Sequence, residues 1–218
     1  MLSLLRSFFG CLASAVRYLH RARIRHRDIK PQNILVKADR VLLADFGIAY
    51  SWENLHRATT TADSGKTLIY AAPEVVRVEP RNESADVWSL GCVFLEMVVV
   101  IKGGTVDEMR REWYAKSEGY CFHANCQGIG LLLAGLRDCG QRTDNVVLGW
   151  VKGMLERMKS ERPTAATLFE DIVMECARSK IPFCGPCCYD DAIGSGSEEE
   201  EEEEEEDNDV WAEALRDG

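Results

Sequence analysis

The sequence predicts a mainly α-helical domain with a small β-hairpin and a disordered acidic tail. Three observations carry this expectation. Apolar residues recur at three- and four-residue steps in one segment after another. A single pair of short β-prone runs flanks Lys37 to Arg40. The stretch from Gly194 opens on Gly-Ser-Gly-Ser and runs into nine consecutive glutamates, which cannot bury enough surface to offset the entropy of ordering.

The first element is a helix over residues 1–19. Leu5, Phe9, Leu12, Val16 and Leu19 share one face, with Arg6, Ser7, Ser14 and Arg17 between them. This is an amphipathic helix rather than a cleavable leader. Ile34-Leu35-Val36 and Val41-Leu42-Leu43 then predict a hairpin. Residues 48–72 are polar and rich in Thr and Ala, which describes a long surface loop. Helical periodicity resumes at residues 86–100, 106–116, 129–137, 145–158 and 165–177. Order is expected to fade beyond Ser179. The organisation expected is a body over 1–178, a Cys-rich linker over 179–193 and the tail over 194–218. Residues 85–101 are the most hydrophobic stretch, but they carry Asp86 and Glu96 and fall short of the roughly 20 residues of a bilayer span. No transmembrane segment is expected.

Composition limits the partners. With 218 residues and 46% hydrophobic content the chain can bury one sizeable core. Its net charge of -10 is a property of the tail. Residues 198–218 hold thirteen acids against Arg216 alone, a charge of -12 that leaves the body at +2. Such a body has no basic stripe to neutralise phosphates, so no nucleic acid is expected as partner. Nine scattered cysteines in a body that needs no staples read as free thiols, and the expected localisation is intracellular, cytoplasmic or nuclear.

The chemistry is concentrated in His26-Arg27-Asp28-Ile29-Lys30-Pro31-Gln32-Asn33 and in Asp45-Phe46-Gly47, which follows across the hairpin. Phosphoryl transfer needs a carboxylate near the attacking hydroxyl, oxygen ligands for a hard cation on the phosphates, and positive charge close by. Asp28, Asn33, Asp45 and Lys30 are such a set. His-Arg-Asp and Asp-Phe-Gly in this order, with Lys two and Asn five residues after Asp28, resemble the eukaryotic protein kinase family, serine/threonine type. Gly65, Thr67, Tyr70 and Ala72-Pro73-Glu74 resemble the end of that family's activation segment. Asp86-Val87-Trp88-Ser89-Leu90-Gly91 looks like the start of its central buried helix, and Glu161-Arg162-Pro163-Thr164 like a turn whose Arg pairs with Glu74.

The resemblance implies catalytic roles for Asp28, which accepts or orients the substrate hydroxyl proton, and Lys30, which steadies the transferred group. It implies that Asn33 and Asp45 hold Mg²⁺ on ATP, and that Leu35 forms the floor under adenine. Lys30 with Thr67 suits Ser and Thr acceptors. Ala-Pro-Glu favours a protein substrate over a small molecule. Asp86 is implied to anchor the backbone at His26 and Arg27, and Arg27 to bind a phosphate on the activation segment, with Thr59, Thr60, Thr61 and Ser64 as acceptors.

The similarity spans residues 2–177 and is that of the C-terminal lobe only, with the N-lobe missing. Neither Gly-x-Gly-x-x-Gly nor Val-Ala-Ile-Lys occurs in the chain. Little or no kinase activity is therefore expected of this polypeptide alone. The alternative function is a non-catalytic interaction module whose acidic tail meets a basic partner. Trp211 and Leu215 could form one face of a short recognition helix, though a purely solvating tail is the plainer reading. Cys184-Gly185-Pro186-Cys187 matches a thioredoxin-type motif without its strand and helix context. Cys184, Cys187 and Cys188 could alternatively be acylated or bind metal, and Cys121, His123, Cys126 and Cys139 offer zinc ligand types at an unfamiliar spacing. His20 and His56 are expected at the surface, and His26 packed against Phe46.

Overall fold

The computed structural model describes residues 2–51, 67–116 and 119–188. Contacts divide the chain into Met1–Gly185 and Pro186–Gly218; of the second unit only residues 186–188 are described. The first unit is mainly helical, as its periodicity predicts. Helix α1 (Leu2–Arg21) leads into strand β1 (Ile24–Arg25), then the hairpin strands β2 (Ile34–Lys37) and β3 (Arg40–Leu43), and β4 (Tyr50–Ser51). After the undescribed stretch come α2 (Pro73–Val76), α3 (Ser84–Ile101), α4 (Val106–Lys116), α5 (Cys126–Leu136), α6 (Asn145–Met154) and α7 (Ala165–Ser179).

Helix α3 is the axis of the core. Trp88, Leu90, Phe94, Leu95 and Val98 are fully buried on it, because the helix is apolar on every face and has neighbours on each. One face meets α1, where Phe94 packs edge-on against Phe9 with centroids 4.7 Å apart. Another meets α6 at Gly91, where a Cβ would lie 2.8 Å from the Cβ of Met154, so only glycine permits this approach. By length and composition α1 and α3 could each cross a bilayer, but 89% of that window of α3 and 50% of that of α1 are buried inside the fold.

The hairpin is antiparallel and pairs Ile34 with Leu43, Leu35 with Leu42, Val36 with Val41 and Lys37 with Arg40. The turn is thus only Ala38-Asp39, with Ala38 at φ 54. A second ribbon pairs Ile24 with Ser51 and Arg25 with Tyr50. It takes Tyr50 and Ser51 out of the expected surface loop; two-residue strands leave no periodicity to read.

Three expectations need correction. The helix expected over 145–158 ends at Met154 because the carbonyls of Glu156 and Arg157 turn to accept the Arg162 guanidinium, at 2.7 and 3.2 Å. Order does not fade at Ser179. Lys180 turns the chain in the left-handed region, at φ 63, and Phe183 is fully buried between Phe9 and Trp150. The Phe183 carbonyl accepts the Gly10 amide at 2.8 Å. His20 is not a surface residue: its Nε2 lies 3.2 Å from Asp86 Oδ2.

Candidate active site

The segment from His26 to Asn33 connects β1 to β2 without regular structure, apart from a single 3-10 turn over Pro31–Asn33. An irregular segment beside a core must satisfy its backbone polar groups through side chains. Asp86, at the start of α3 and 2% exposed, does this. Its Oδ2 accepts the His26 amide at 2.9 Å and its Oδ1 the Arg27 amide at 2.8 Å. Arg27 can then take φ 70, a strained value held by the surrounding bonds. His26 Nε2 is 3.1 Å from the Ala44 carbonyl. A carbonyl only accepts, so the proton sits on Nε2, leaving Nδ1 to accept the Asp28 amide at 3.4 Å. The ring packs on Phe46 with centroids 4.9 Å apart, as expected. One imidazole therefore links the two motifs.

Asp28 is held by its own loop. Lys30 Nζ donates to Asp28 Oδ2 at 2.5 Å, and Asn33 Nδ2 donates to the same oxygen at 3.0 Å and to the Asp28 carbonyl at 2.8 Å. The Asn33 amide nitrogen is thus committed to Asp28, which leaves its Oδ1 as the atom with acceptor capacity. The Ala44 amide donates to the Asn33 carbonyl at 2.9 Å and closes the hairpin, so Asp45 follows directly beside Asn33. Asp45 has φ 63 and is exposed, and its Oδ1 accepts the Gly47 amide at 3.3 Å. The structure brings Asp28, Lys30 and Asn33 into one bonded cluster with Asp45 at its edge. Leu35 stands apart. It is 52% exposed on β2, and strand alternation separates it from Ile34 and Val36, which line an apolar groove with Leu5, Phe8, Pro31 and Met97.

The donor set fits a hard divalent cation. An amide oxygen on Asn33 and a carboxylate on Asp45, on adjacent backbone, are the oxygen ligands that Mg²⁺ takes while keeping several waters. Gly65 and the acceptors Thr59, Thr60, Thr61 and Ser64 lie outside the described residues, as do His56, Trp211 and Leu215, and of Thr67 only the backbone is described.

Two clusters of buried charge lie elsewhere in the helical body. Glu74 and Arg162 form the expected buried pair. Nη1 meets Oε1 at 2.7 Å and Nη2 meets Oε2 at 2.9 Å, with side chains 2% and 0% exposed. Burial pushes the Glu74 carboxyl up, but the Arg162 hydrogen bonds, a backbone hydrogen bond and the charges of Arg162 and Lys159 together hold it below the usual range. The guanidinium also donates to the Ser84 carbonyl at 3.1 Å and stacks over Trp88.

The second cluster was not anticipated. The Tyr70 hydroxyl reaches Glu96 Oε1 at 3.0 Å, and Arg110 Nη2 donates to Glu96 Oε1 and to the Tyr70 oxygen, each at 2.6 Å. Burial and the facing Glu96 push the Tyr70 hydroxyl well up. Burial also raises Glu96 despite Arg110. The sequence held a signal in Glu96, an acid amid the apolar run of α3, because a buried carboxylate requires partners. Nothing in it identified Arg110.

The thioredoxin-type motif and the Cys121, His123, Cys126 and Cys139 set do not assemble among the described residues. Cys184 is buried, and a Cβ built on Gly10 would meet its sulfur, which is the opposite of the exposed setting a reactive thiol needs. Among the described residues the ligand atoms of Cys121, His123, Cys126 and Cys139 do not gather within reach of one ion.

Comparison with known proteins agrees with this geometry. The protein kinase domain family matches residues 3–174. The chain is 40% identical to human serine/threonine-protein kinase Nek10 over 91 residues, which is 41% of this chain and 8% of that protein. It is 43% identical to serine/threonine-protein kinase 36 of Pongo abelii over 89 residues, 40% of this chain and 7% of that protein. It is 45% identical to serine/threonine-protein kinase fused of Drosophila melanogaster over 93 residues, 42% of this chain and 11% of that protein. The chain thus spans a small fraction of the length of these relatives. With the family match covering most of the chain, and the Asp28–Lys30–Asn33 cluster built on an Asp86 anchor, the chain belongs to the protein kinase domain family.

Proposed function

We propose that this site serves transfer of the ATP γ-phosphoryl group to a serine or threonine hydroxyl of a protein substrate. The observation that carries the reading is the cluster at Asp28, whose Oδ2 is held by Lys30 and Asn33 while the hairpin sets Asp45 beside Asn33. Asp28 orients the hydroxyl and accepts its proton as the new O–P bond forms and the bond to ADP breaks. Lys30 places positive charge beside the group in flight. Asn33 Oδ1 and Asp45 would hold Mg²⁺, which when bound neutralises the phosphate charge. Leu35 offers an apolar surface for adenine.

Neither a glycine-rich cover nor a Val-Ala-Ile-Lys lysine is present in these 218 residues. An uncovered nucleotide stays wet, and water weakens every charge interaction that lowers the barrier. The chain alone is therefore expected to bind Mg-ATP and to transfer slowly or not at all. Thermal unfolding tests the reading. Mg-ATP at a hundred times its Kd should stabilise the chain by about 2.7 kcal/mol. ATP with EDTA should lose most of this, and so should Asp45→Asn. No shift at millimolar Mg-ATP would refute the assignment.

A further inference from the structure

A cavity of about 540 Å³ opens between α4, the first turns of α5 and the chain just beyond α6, and no residue of the Asp28 cluster lines it. That volume falls in the range of small-ligand sites. Part of the wall is apolar, with Trp113 from α4 and Leu131 from α5, the latter 77% exposed. Helix α5 comes so close to the indole that a Cβ on Gly128 would lie 3.4 Å from Trp113 Nε1. Much of the rest is polar groups that bond within the wall. Asn125 Nδ2 donates to the Gly119 and Cys121 carbonyls at 3.3 and 2.9 Å, and Cys126 Sγ to the His123 carbonyl at 3.2 Å. Phe122 anchors this wall, its ring meeting Trp113 edge-on at 5.2 Å and Tyr70 at 5.4 Å.

Two lining side chains are left over. Those of Arg157 and Gln127 are exposed and have no hydrogen-bond or ion-pair partner among the described residues. Arg157 is the one charged residue on the lining. Burial pushes the His123 imidazole down and the Cys126 thiol up, so both are neutral at pH 7. The first turn of α5 holds no acid either. The cavity therefore carries one positive charge that no acid on its lining balances. A single guanidinium matches one carboxylate both in charge and in the fork of its N–H donors. The apolar surface alongside favours a body that gains by leaving water. We propose that the cavity binds a small monocarboxylate with an apolar body, the carboxylate on Arg157 and Gln127 and the body against Trp113 and Leu131. The site is separate from the phosphotransfer chemistry proposed above and is tested without it.

Cys126 is a thiol on the lining, so its protection reads occupancy at the site itself. The full chain is treated with iodoacetamide, and alkylation of Cys126 is followed by peptide mass spectrometry with the exposed Cys139 as internal control. Decanoate, kept below its micelle concentration, should half-protect Cys126 at about a tenth of the concentration that decanol requires, and leave Cys139 unprotected. Decylamine should be weaker still, because its charge repels Arg157. Arg157→Gln should bring decanoate to the level of decanol, and Arg157→Lys should keep part of the advantage. Leu131→Ser should weaken decanoate and decanol together. Both positions are exposed, so these variants leave the core intact. Equal protection by all three compounds, an Arg157→Gln variant in which decanoate keeps its advantage, or Cys126 alkylated as fast with decanoate as without it would each overturn the proposal. So would equal protection of Cys139, which marks adsorption over the whole surface.

Discussion

Removing Arg162 is the most revealing single change to the scaffold. Its guanidinium is fully buried and meets both oxygens of Glu74, itself 2% exposed. Arg162→Met leaves that carboxylate without its cation in a site water does not reach, at a cost of about 3–5 kcal/mol. For a body of this size each kcal/mol moves Tm by roughly 2–4 °C, so a fall of about 6–20 °C is expected by calorimetry. Glu74→Gln strands the opposite charge and should cost a similar amount. Making both changes should cost clearly less than the sum, with a coupling of about 2 kcal/mol or more in a double-mutant cycle.

The pH dependence supplies a second readout of the same pair. Glu74 titrates below its usual range in the fold. The stability it contributes is therefore present above the unfolded value of about 4.3 and is lost as pH falls through the lower folded value. Glu74→Gln should lack this acid limb. In Arg162→Met burial still pushes the carboxyl up and only a backbone hydrogen bond and Lys159 oppose it, so this variant should lose less stability on acidification than wild type. Additive single effects, with a coupling under about 0.5 kcal/mol and unchanged acid limbs, would refute the reasoning.

Asp86→Asn keeps one acceptor oxygen where two are used, so either the His26 or the Arg27 amide loses its partner. Chemical denaturation should show a loss of about 1–3 kcal/mol, together with weaker Mg-ATP stabilisation because the loop carrying Asp28 loosens. Gly10→Ala puts a Cβ 2.8 Å from the Phe183 carbonyl and 2.5 Å from the Cys184 sulfur. Overpacking of this kind should cost about 1–3 kcal/mol and raise Cys184 reactivity toward a thiol reagent as the segment lifts.

Much of the fold was legible because its signals are local. Periodicity gave α1, α3, α4 and α7 to within a few residues, and two β-prone runs gave the hairpin, though its strands extend to pair Lys37 with Arg40. Asp28, Lys30 and Asn33, which bond to one another, lie in a segment singled out by its resemblance to the protein kinase family, and their roles belong to the proposal above. What escaped reading depends on chain that returns from far away. His20 reaches Asp86 across 66 residues, Phe183 fills a gap beside Phe9 and Trp150, and Arg110 reaches Glu96 from a separate helix. No local pattern encodes such meetings. The early end of α6 has the same origin, since the carbonyls of Glu156 and Arg157 just beyond it accept Arg162.

The proposed chemistry requires Asn33 and Asp45 to share one cation beside Asp28. Amide NMR of the full chain with ATP and substoichiometric Mn²⁺ in place of Mg²⁺ tests it most directly, because the paramagnetic ion broadens only nearby signals. The Asn33 side-chain amide and the Asp45 and Gly47 backbone amides should broaden together, Gly10 and Phe183 should stay sharp, and Asp45→Asn should abolish the effect. Broadening confined to the glutamates of 198–206, with Asn33 and Asp45 unchanged, would contradict it.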